Sequence, residues 1–137
     1  MVQENSLKNK ILIICGATAT GKSDLAVECA KLLNSEVVSA DSMYIYKGLD
    51  VGTAKPTTEE MGGVLHHVID VVSPNDNFTV SDYKNIAGPI IEKIIKNGKI
   101  PVICGGTGFY INSILYDLSY GNGNGNPEIR YVGRIKQ

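Results

Sequence analysis

Arginine is nearly absent from this sequence. Of its 137 residues, only Arg130 and Arg134 are arginines, and both lie near the carboxyl end. Enzymes that pass a phosphoryl group to a small metabolite commonly close an arginine over the transferring phosphate, where it stabilises negative charge. No arginine lies between Gly16 and Tyr120, so the sequence argues against phosphoryl transfer.

The sequence also lacks an excess of positive charge, a metal-binding cysteine pattern and a long apolar run. Its net charge is −1, so no overall basic field draws the chain to nucleic acid, and an RNA contact would need a local patch. Cys15, Cys29 and Cys104 have no zinc-ligand spacing, which predicts buried thiols in a reducing, cytoplasmic location. The first apolar run, Ile11–Cys15, is short, and we expect neither a signal peptide nor a membrane span.

Short apolar runs alternate with helical patterns along residues 1–120. A chain of this length is expected to form one domain that buries about two-thirds of its surface. Unbroken apolar runs of a few residues are typical of strands buried in a parallel sheet. Strands are predicted at Ile11–Cys15, Glu36–Ala40, Val64–Val72 and Lys99–Cys104. Helices are predicted after Gly21 up to Asn34, from Val80 to Gly98, and over Phe109–Leu115. The residues Thr79–Asp82 have the pattern of a capping box at the start of the second of these helices.

The order of these elements predicts an α/β fold, a P-loop NTPase-like parallel sheet with helices on both faces. Functional groups then belong at the carboxyl ends of the strands. Pro89 lacks a backbone donor, and we expect a kink or two helices meeting at Gly88-Pro89. We assign residues 1–120 to this core. Residues 121–137 begin with a glycine- and asparagine-rich run and are assigned to a tail too short to pack alone.

The eight residues GATATGKS follow the first predicted strand and precede the first predicted helix. They match the phosphate-loop pattern G-x-x-x-x-G-K-[ST], in which backbone amides and a helix N-terminus bind phosphate and the last hydroxyl can ligate Mg²⁺. A chance glycine-rich turn is the alternative, and the flanking strand and helix argue against it. The predicted phosphate-binding residues are Gly16, Ala17, Thr18, Ala19, Thr20, Gly21, Lys22 and Ser23, with Ser23 as the Mg²⁺ ligand.

Asp41 follows the second predicted strand. An acid at this end of a strand, beside a phosphate loop, can hold Mg²⁺ indirectly or act as a general base toward a nucleophile. The alternative is an aspartate that caps a turn before Ser42. An NTPase would use such an acid to orient a hydrolytic water, whereas we expect Asp41 to face a substrate.

Two further patterns carry weaker signals. GGTGFY (Gly105–Tyr110) is a glycine turn after the fourth predicted strand with a hydroxyl at Thr107, and a plain strand-to-helix turn explains it equally well. His66 and His67 are adjacent, so their side chains point to opposite faces of a strand and cannot easily chelate one ion. No acid or cysteine is spaced to complete a site with them, and we expect structural or surface histidines.

Five motifs, in order along residues 11–116, closely resemble those of the tRNA dimethylallyltransferases, also called tRNA isopentenyltransferases. Relatives that prenylate free adenine nucleotides share the phosphate loop and the YKGLD segment, while GTAKP and HHVID resemble the tRNA-acting branch. The motifs are GATATGKS, DSMYIYKGLDVGTAKP (Asp41–Pro56), HHVIDVVSP (His66–Pro74), FTVSDY (Phe78–Tyr83) and PVICGGTGFY (Pro101–Tyr110).

This resemblance implies a donor, an acceptor and residue roles. The bound phosphate would be the pyrophosphate of dimethylallyl diphosphate, a leaving group that the phosphate loop and Mg²⁺ stabilise. The acceptor would be the exocyclic amine of the adenosine 3′-adjacent to the anticodon of tRNA, swung out of its stack. The implied catalytic residues are Asp41, which accepts a proton from the amine, and Thr107, which lines the reaction channel. The implied tRNA-binding residues are Asp41, Ser42, Met43, Tyr44 and Thr107.

The sequence departs from the family pattern at three points. Tyr44 stands where many members carry glutamine, and Pro89 interrupts a helix that is continuous in the family. The resemblance ends near Leu118 although family members are longer, so we interpret the chain as truncated or internally deleted beyond that residue. We expect a monomer that binds the donor weakly and modifies tRNA poorly or not at all.

Two alternative functions remain open at this stage. The same core could serve an enzyme of small molecules, either an adenylate prenyltransferase or a metabolite kinase. It could also be an inactive fragment whose exposed sheet edges favour self-association.

Overall fold

A computed structural model describes residues 10–16, 22–48, 55–120 and 128–135. Its strands are β1 (Lys10–Gly16), β2 (Val37–Ser39), β3 (His66–His67), β4 (Val102–Gly105) and β5 (Glu128–Ile135). Its helices are α1 (Lys22–Leu33), α2 (Thr58–Met61), α3 (Val80–Lys96) and α4 (Gly108–Tyr120). Within these residues, no helix is both long and apolar enough to cross a membrane.

The five strands form one parallel sheet in the order β3-β2-β4-β1-β5. Adjacent residues of a strand point to opposite faces, and apolar side chains are buried on both. Ile13 and Ile103 belong to a core cluster with α3 and α4, whereas Ile14 and Val102 belong to a second cluster with α1. The predicted α/β fold, a parallel sheet with helices on both faces, is confirmed.

Helix α3 begins at the predicted capping box. The Thr79 hydroxyl accepts a hydrogen bond from the Asp82 amide at 3.1 Å, and the Asp82 carboxylate accepts one from the Thr79 amide at 2.9 Å. These two bonds satisfy backbone donors that the first turn of a helix leaves unpaired. The helix ends before Gly98, whose φ of 79° is readily adopted by glycine. Its buried residues are Tyr83, Ala87, Ile91 and Ile94.

The prediction that two helices meet at Gly88-Pro89 is wrong, because α3 runs unbroken from Val80 to Lys96. Proline removes the hydrogen bond that its amide would donate to the carbonyl four residues earlier, here Asn85. Both Pro89 and Asn85 lie on the exposed face of the helix. Water can therefore hydrate the orphaned carbonyl, and the helix continues through the proline.

The predicted strand over Val64–Val72 is wrong in length. Only His66–His67 pair with β2. Val68 and Asp70 have positive φ angles of 65° and 57°, which lie in the left-handed region and cannot continue an extended strand. The chain therefore turns away from the sheet immediately after β3.

Strand β5 was not predicted from the sequence, which assigned its residues to a tail. It pairs in parallel with β1 from Lys10 opposite Glu128 to Gly16 opposite Ile135. A segment this short has little core of its own, but it gains backbone partners along β1 on both sides of a register shift between Ile13 and Ile14. Without β5, β1 would be an edge strand. The glycine- and asparagine-rich run at 121–127 lies outside the described residues.

Candidate active site

The candidate site lies where β2 and β4 end side by side. The Ala40 amide donates to the Cys104 carbonyl at 2.8 Å, and the Thr107 amide donates to the Ala40 carbonyl at 3.1 Å. These bonds extend the pairing of the two strands into the loops that follow them. Asp41 and Thr107, which the sequence predicted separately, are therefore brought together at the carboxyl edge of the sheet.

Gly105 makes this close approach possible. A Cβ atom at Gly105 would lie 2.2 Å from the Ala40 carbonyl oxygen and 2.3 Å from the Ala40 carbonyl carbon. Both are backbone atoms just after β2 that are tied to the neighbouring segment by hydrogen bonds, so they cannot move aside as a flexible side chain could. Glycine is required here for space between two chains rather than for a left-handed backbone.

The Thr107 hydroxyl links the two loops. Its Oγ1 accepts a hydrogen bond from the Ser42 amide at 2.9 Å and donates to the Ser42 hydroxyl at 3.3 Å. The two residues are 65 positions apart in the chain. The hydroxyl thus holds the segment that begins at Asp41 against the glycine turn, and both hydroxyls are only partly buried.

Asp41 is buried, with 6% of its surface exposed. Its Oδ1 accepts a hydrogen bond from the Met43 amide at 2.9 Å, and its carbonyl accepts one from the Tyr44 amide at 3.1 Å. This is the turn-capping role that the sequence offered as an alternative, and it fixes the orientation of the carboxylate. Oδ2 accepts no hydrogen bond from the described part of the chain, so the turn leaves one carboxylate oxygen for another partner.

Two stacked tyrosines lie next to this edge, and one of them is bonded to the last residue of β2. The Tyr83 and Tyr110 ring centroids lie 4.1 Å apart with an interplanar angle of 7°, and the Tyr83 hydroxyl donates to the Ser39 carbonyl at 2.7 Å. Burial raises the pKa of Tyr83, and burial together with the charges of Tyr46 and Asp41 raises the pKa of Tyr110. Both phenols therefore stay neutral at physiological pH.

Sequence reasoning missed the contribution of these tyrosines to the site. Tyr83 closes FTVSDY and Tyr110 closes GGTGFY, so both stand in motifs that were noticed for other reasons. The available signal was a tyrosine on the buried face of a helix, because a buried phenol needs a hydrogen-bond partner. Nothing in the sequence identified that partner as the Ser39 carbonyl.

The phosphate loop is only partly described. Gly16 is the last residue of β1 and Lys22 the first of α1, which confirms the flanking strand and helix. Cys15 pairs with Gly105, so β1 ends beside the GGTG turn. Residues 17–21 and the side chains of Lys22 and Ser23 lie outside the description, so their phosphate contacts stay predictions, as does Mg²⁺ binding by Ser23.

No cluster of three or more His, Cys, Asp or Glu side chains able to hold a metal occurs within residues 10–16, 22–48, 55–120 and 128–135. A protein cage for a divalent ion is therefore not formed by this part of the chain. The predicted Mg²⁺ does not need one, because in phosphate-loop sites a single hydroxyl and the phosphates share the ion.

His66 and His67 lie away from this edge and do not bind a common partner. His66 Nδ1 is 2.9 Å from the Val64 carbonyl oxygen, and His67 Nε2 is 2.7 Å from Glu36 Oε1. Glu36 precedes β2, the strand beside β3, and so gives His67 an acidic partner that the sequence spacing did not indicate. Lys99 Nζ also pairs with Glu36, at 3.3 Å.

The molecule is thus an α/β protein whose candidate site is formed by loops at the carboxyl edge of a parallel sheet. Its relationship to known proteins is equally definite. The chain belongs to the IPP transferase family, whose model matches residues 44–133.

Two curated relatives match this chain over part of their own length. It is 55% identical over 121 residues to a tRNA dimethylallyltransferase of Caldanaerobacter subterraneus subsp. tengcongensis, covering 88% of this chain and 38% of the relative. It is 47% identical over 126 residues to the tRNA dimethylallyltransferase of Bacillus subtilis, covering 92% of this chain and 40% of the relative. The chain therefore spans about two-fifths of the length of these curated relatives.

Solved structures share the fold. The full-length tRNA isopentenylpyrophosphate transferase from Bacillus halodurans matches with a TM-score of 0.77 and 46% identity, over 83% of this chain and 38% of that one. A eukaryotic dimethylallyltransferase acting on tRNA matches with a TM-score of 0.75 and 32% identity, over 85% and 28%. The resemblance seen in the five sequence motifs is confirmed.

Proposed function

We propose that this chain carries the donor-binding and catalytic core for transfer of a dimethylallyl group from dimethylallyl diphosphate to an adenosine of tRNA. The acceptor is the exocyclic amine of the adenosine 3′-adjacent to the anticodon. The observation that carries the proposal is the hydrogen bond between Ser42 and Thr107. It holds the Asp41 segment against the loop after β4, and β4 pairs through Gly105 with Cys15, just before the phosphate-loop sequence. The names of the relatives supply the reaction.

Asp41 is the proposed general base. An adenine amine is a poor nucleophile because its lone pair is delocalised into the ring, so a carboxylate that takes up its proton favours attack on the allylic carbon. The Met43 amide fixes Oδ1, which leaves Oδ2 as the oxygen that would accept the proton. The low exposure of Asp41 would strengthen this interaction by excluding water.

The proposed acceptor contacts come from both loops. Met43 is 53% exposed and Ser42 and Thr107 are partly exposed, so all three can touch an extruded nucleotide. Tyr44 is 5% exposed, and we infer that it shapes the floor of the site rather than reaching into the RNA.

The proposed donor site is the segment Gly16–Ser23. Its backbone amides and the amino end of α1 would bind the diphosphate, and Lys22 would balance the negative charge that grows as the allylic C–O bond breaks. Mg²⁺ held by Ser23 would add to this charge stabilisation. We further propose that the protein is cytoplasmic and monomeric. Sedimentation of the purified chain can check the oligomeric state.

Transfer of labelled dimethylallyl diphosphate to an anticodon stem-loop tests the reaction. In Mg²⁺ we expect slow labelling of the stem-loop by the parent chain. Labelling by Asp41→Asn should be about 10²- to 10⁴-fold slower still, while its affinity for the donor should be unchanged. Asp76→Asn removes the same charge from an exposed side chain outside both site loops, and it is the matched control. A stem-loop with inosine at the acceptor position lacks the amine and must stay unlabelled. Equal labelling of the adenosine and inosine stem-loops, or no labelling of the adenosine stem-loop, would refute the proposal for this chain.

A further inference from the structure

Lys55 is a lysine with an unusually hidden side chain. Only 7% of the side chain is exposed, although lysines are almost never this buried unless their charge is paired. It belongs to the GTAKP motif, for which the proposed reaction gives no role. The question is what this buried ammonium holds in place.

The ammonium joins two segments that are distant in sequence. Lys55 Nζ donates to the Tyr46 carbonyl at 3.0 Å and to the Asp70 carboxylate at 2.5 Å. The Asp70 side chain is 47% exposed, so the carboxylate can stay hydrated on its outer side while the lysine is enclosed. Charge-assisted bonds of this kind are stronger than neutral ones.

The two segments are also paired through their backbones. The Asp70 amide donates to the Tyr44 carbonyl at 2.9 Å, and the Val71 amide donates to the Ile45 carbonyl at 2.8 Å. One residue further on, the Lys47 amide donates to the Val72 carbonyl at 2.8 Å. Residues 44–47 and 70–72 thus form a short ladder outside the main sheet, and Lys55 ties the two together with its side chain.

The ladder leads directly into the candidate site. Tyr44 is both a member of the ladder and the donor to the Asp41 carbonyl, and Met43 donates to the Asp41 carboxylate. The segment 41–47 is therefore held at its first residues by Thr107 and β4, and at its last residues by the ladder and Lys55. Between these anchors the turn that orients the carboxylate has little freedom.

We propose that Lys55 is a positioning residue, which holds the segment 41–47 so that the Asp41 carboxylate keeps its orientation. The use of that orientation in catalysis rests on the proposed function, whereas the mechanical link does not. This role explains why three motifs occur together: YIYKG supplies the carbonyl, GTAKP the lysine and HHVID the aspartate. The competing explanation is that Lys55 only stabilises the whole fold. Loss of its charge would then speed amide exchange throughout the chain and not chiefly in the segment 41–47.

Amide hydrogen exchange, followed by NMR in the 137-residue chain without substrate, separates the two explanations. In Lys55→Met, which keeps an unbranched apolar side chain but removes the ammonium, we expect exchange about tenfold faster at Met43, Tyr44 and Val71. Amides in the middle of α3, such as those of Ala87 and Ile91, should keep their rates. The Met43 amide resonance should shift, because its proton is bonded to Asp41.

Two variants complete the test. Lys47→Met removes the same charge from an exposed side chain of the same segment, and it should leave all of these rates unchanged. Lys55→Arg retains a cation and should restore much of the protection. If Lys55→Met does not fold, Asp70→Asn can replace it, because it removes the exposed partner of the same ion pair. It should give the same pattern of faster exchange to a smaller extent.

Equal acceleration throughout the chain, α3 included, would overturn the proposal, since it would show only a loss of global stability. Unchanged Met43 and Tyr44 amides would also overturn it. Because no substrate is present, these outcomes are independent of whether the chain transfers a prenyl group. A failed transfer assay with the expected exchange pattern would leave the positioning link intact and remove only its catalytic use.

Discussion

The two ends of β2 each carry an acidic side chain in opposite surroundings. Before the strand, Glu36 is bonded to His67 and paired with Lys99. After the strand, Asp41 accepts one backbone hydrogen bond through Oδ1, and none of the ion pairs formed by the described residues includes it. An acid that is bonded to two side chains is already satisfied and stabilises the fold, whereas an acid with an unused oxygen keeps a lone pair for another partner.

The backbone around these two acids also differs between the two edges of the sheet. At the carboxyl edge, two loops are pressed together at Gly105 and cross-linked by Thr107. At the amino edge, Glu36 and Lys99 lie on the rim of an open groove about 440 Å³ in volume. Clustered charge alone therefore does not mark the candidate site of this molecule. The better marker is a buried acid held by backbone donors beside a close approach of two strands.

Gly105→Ala should break this arrangement most severely. The new Cβ would meet the Ala40 backbone at 2.2 Å, so we expect the free energy of unfolding to fall by about 3 kcal/mol or more. Urea denaturation followed by circular dichroism measures the change. Gly108→Ala is the matched control, because a Cβ there meets nothing within 4 Å, and its stability should change by less than about 1 kcal/mol. Similar losses in both variants would contradict the close-approach argument.

Tyr83→Phe should weaken the carboxyl edge by a smaller amount. The variant keeps the stacked ring but leaves the Ser39 carbonyl without the hydroxyl that donates to it at 2.7 Å. We expect a loss of about 1–3 kcal/mol in the free energy of unfolding. Tyr110→Phe keeps the same stack, and the Tyr110 hydroxyl makes no hydrogen bond within the described residues. Its effect in the same denaturation assay should stay within about 0.5 kcal/mol. Equal losses in the two variants would contradict the claim that the Tyr83–Ser39 hydrogen bond stabilises this edge.

The acid at the amino edge should make stability depend on pH. The hydrogen bond from His67 and then Lys99 hold the pKa of Glu36 below its ordinary value. Its contribution is therefore complete above the ordinary carboxyl pKa of about 4.3, and it is lost as the pH falls through the lower folded-state pKa. We expect about 1 kcal/mol or less, because the cluster is partly solvated.

Urea denaturation from neutral pH down to about pH 3 tests this expectation. Glu36→Gln should lose stability at neutral pH and show a flatter decline in acid than the parent chain. Glu92→Gln, an exposed acid on α3, should follow the parent curve. A parent-like decline in Glu36→Gln would show that Glu36 is not part of a stabilising cluster.

The smallest expected effect separates two serines, Ser35 before β2 and Ser39 at its end. The Ser39 hydroxyl is buried and has no hydrogen-bond partner among the described residues, so Ser39→Ala should raise the free energy of unfolding by up to about 1 kcal/mol. Ser35→Ala should lower it by about 1 kcal/mol, because the Ser35 hydroxyl donates to the Ile100 carbonyl at 2.6 Å. A loss in Ser39→Ala would instead indicate an ordered water in the adjoining cavity of about 10 Å³.

The sequence predicted the parts of the fold that local physics decides. The apolar runs of β1 and β4 and the capping box at Thr79 are short-range patterns, and each was found where it was expected. The strand at Val64–Val72 was overextended, because an apolar run does not reveal that Val68 takes a left-handed φ. Strand β5 was missed, because its stability comes from pairing with β1, more than a hundred residues away.

The same division holds for the candidate site. Asp41 and Thr107 could be predicted, because the ends of parallel strands meet at one edge. The Ser42–Thr107 bond, the Tyr83 contact and the Lys55–Asp70 pair could not. Each joins segments separated by loops whose course depends on the completed fold. The family resemblance predicts which residues act, and the structure shows how Asp41, Ser42 and Thr107 are held.

Thermal denaturation of the chain in Mg²⁺, with dimethylallyl diphosphate compared against ATP, tests the central claim most directly. A ligand that binds only the folded state raises the melting temperature as its concentration passes its dissociation constant. We predict a rise with the prenyl diphosphate and little or none with ATP. A rise with ATP alone would support a kinase, and no rise with either would show that the carboxyl edge of this chain is not a working donor site.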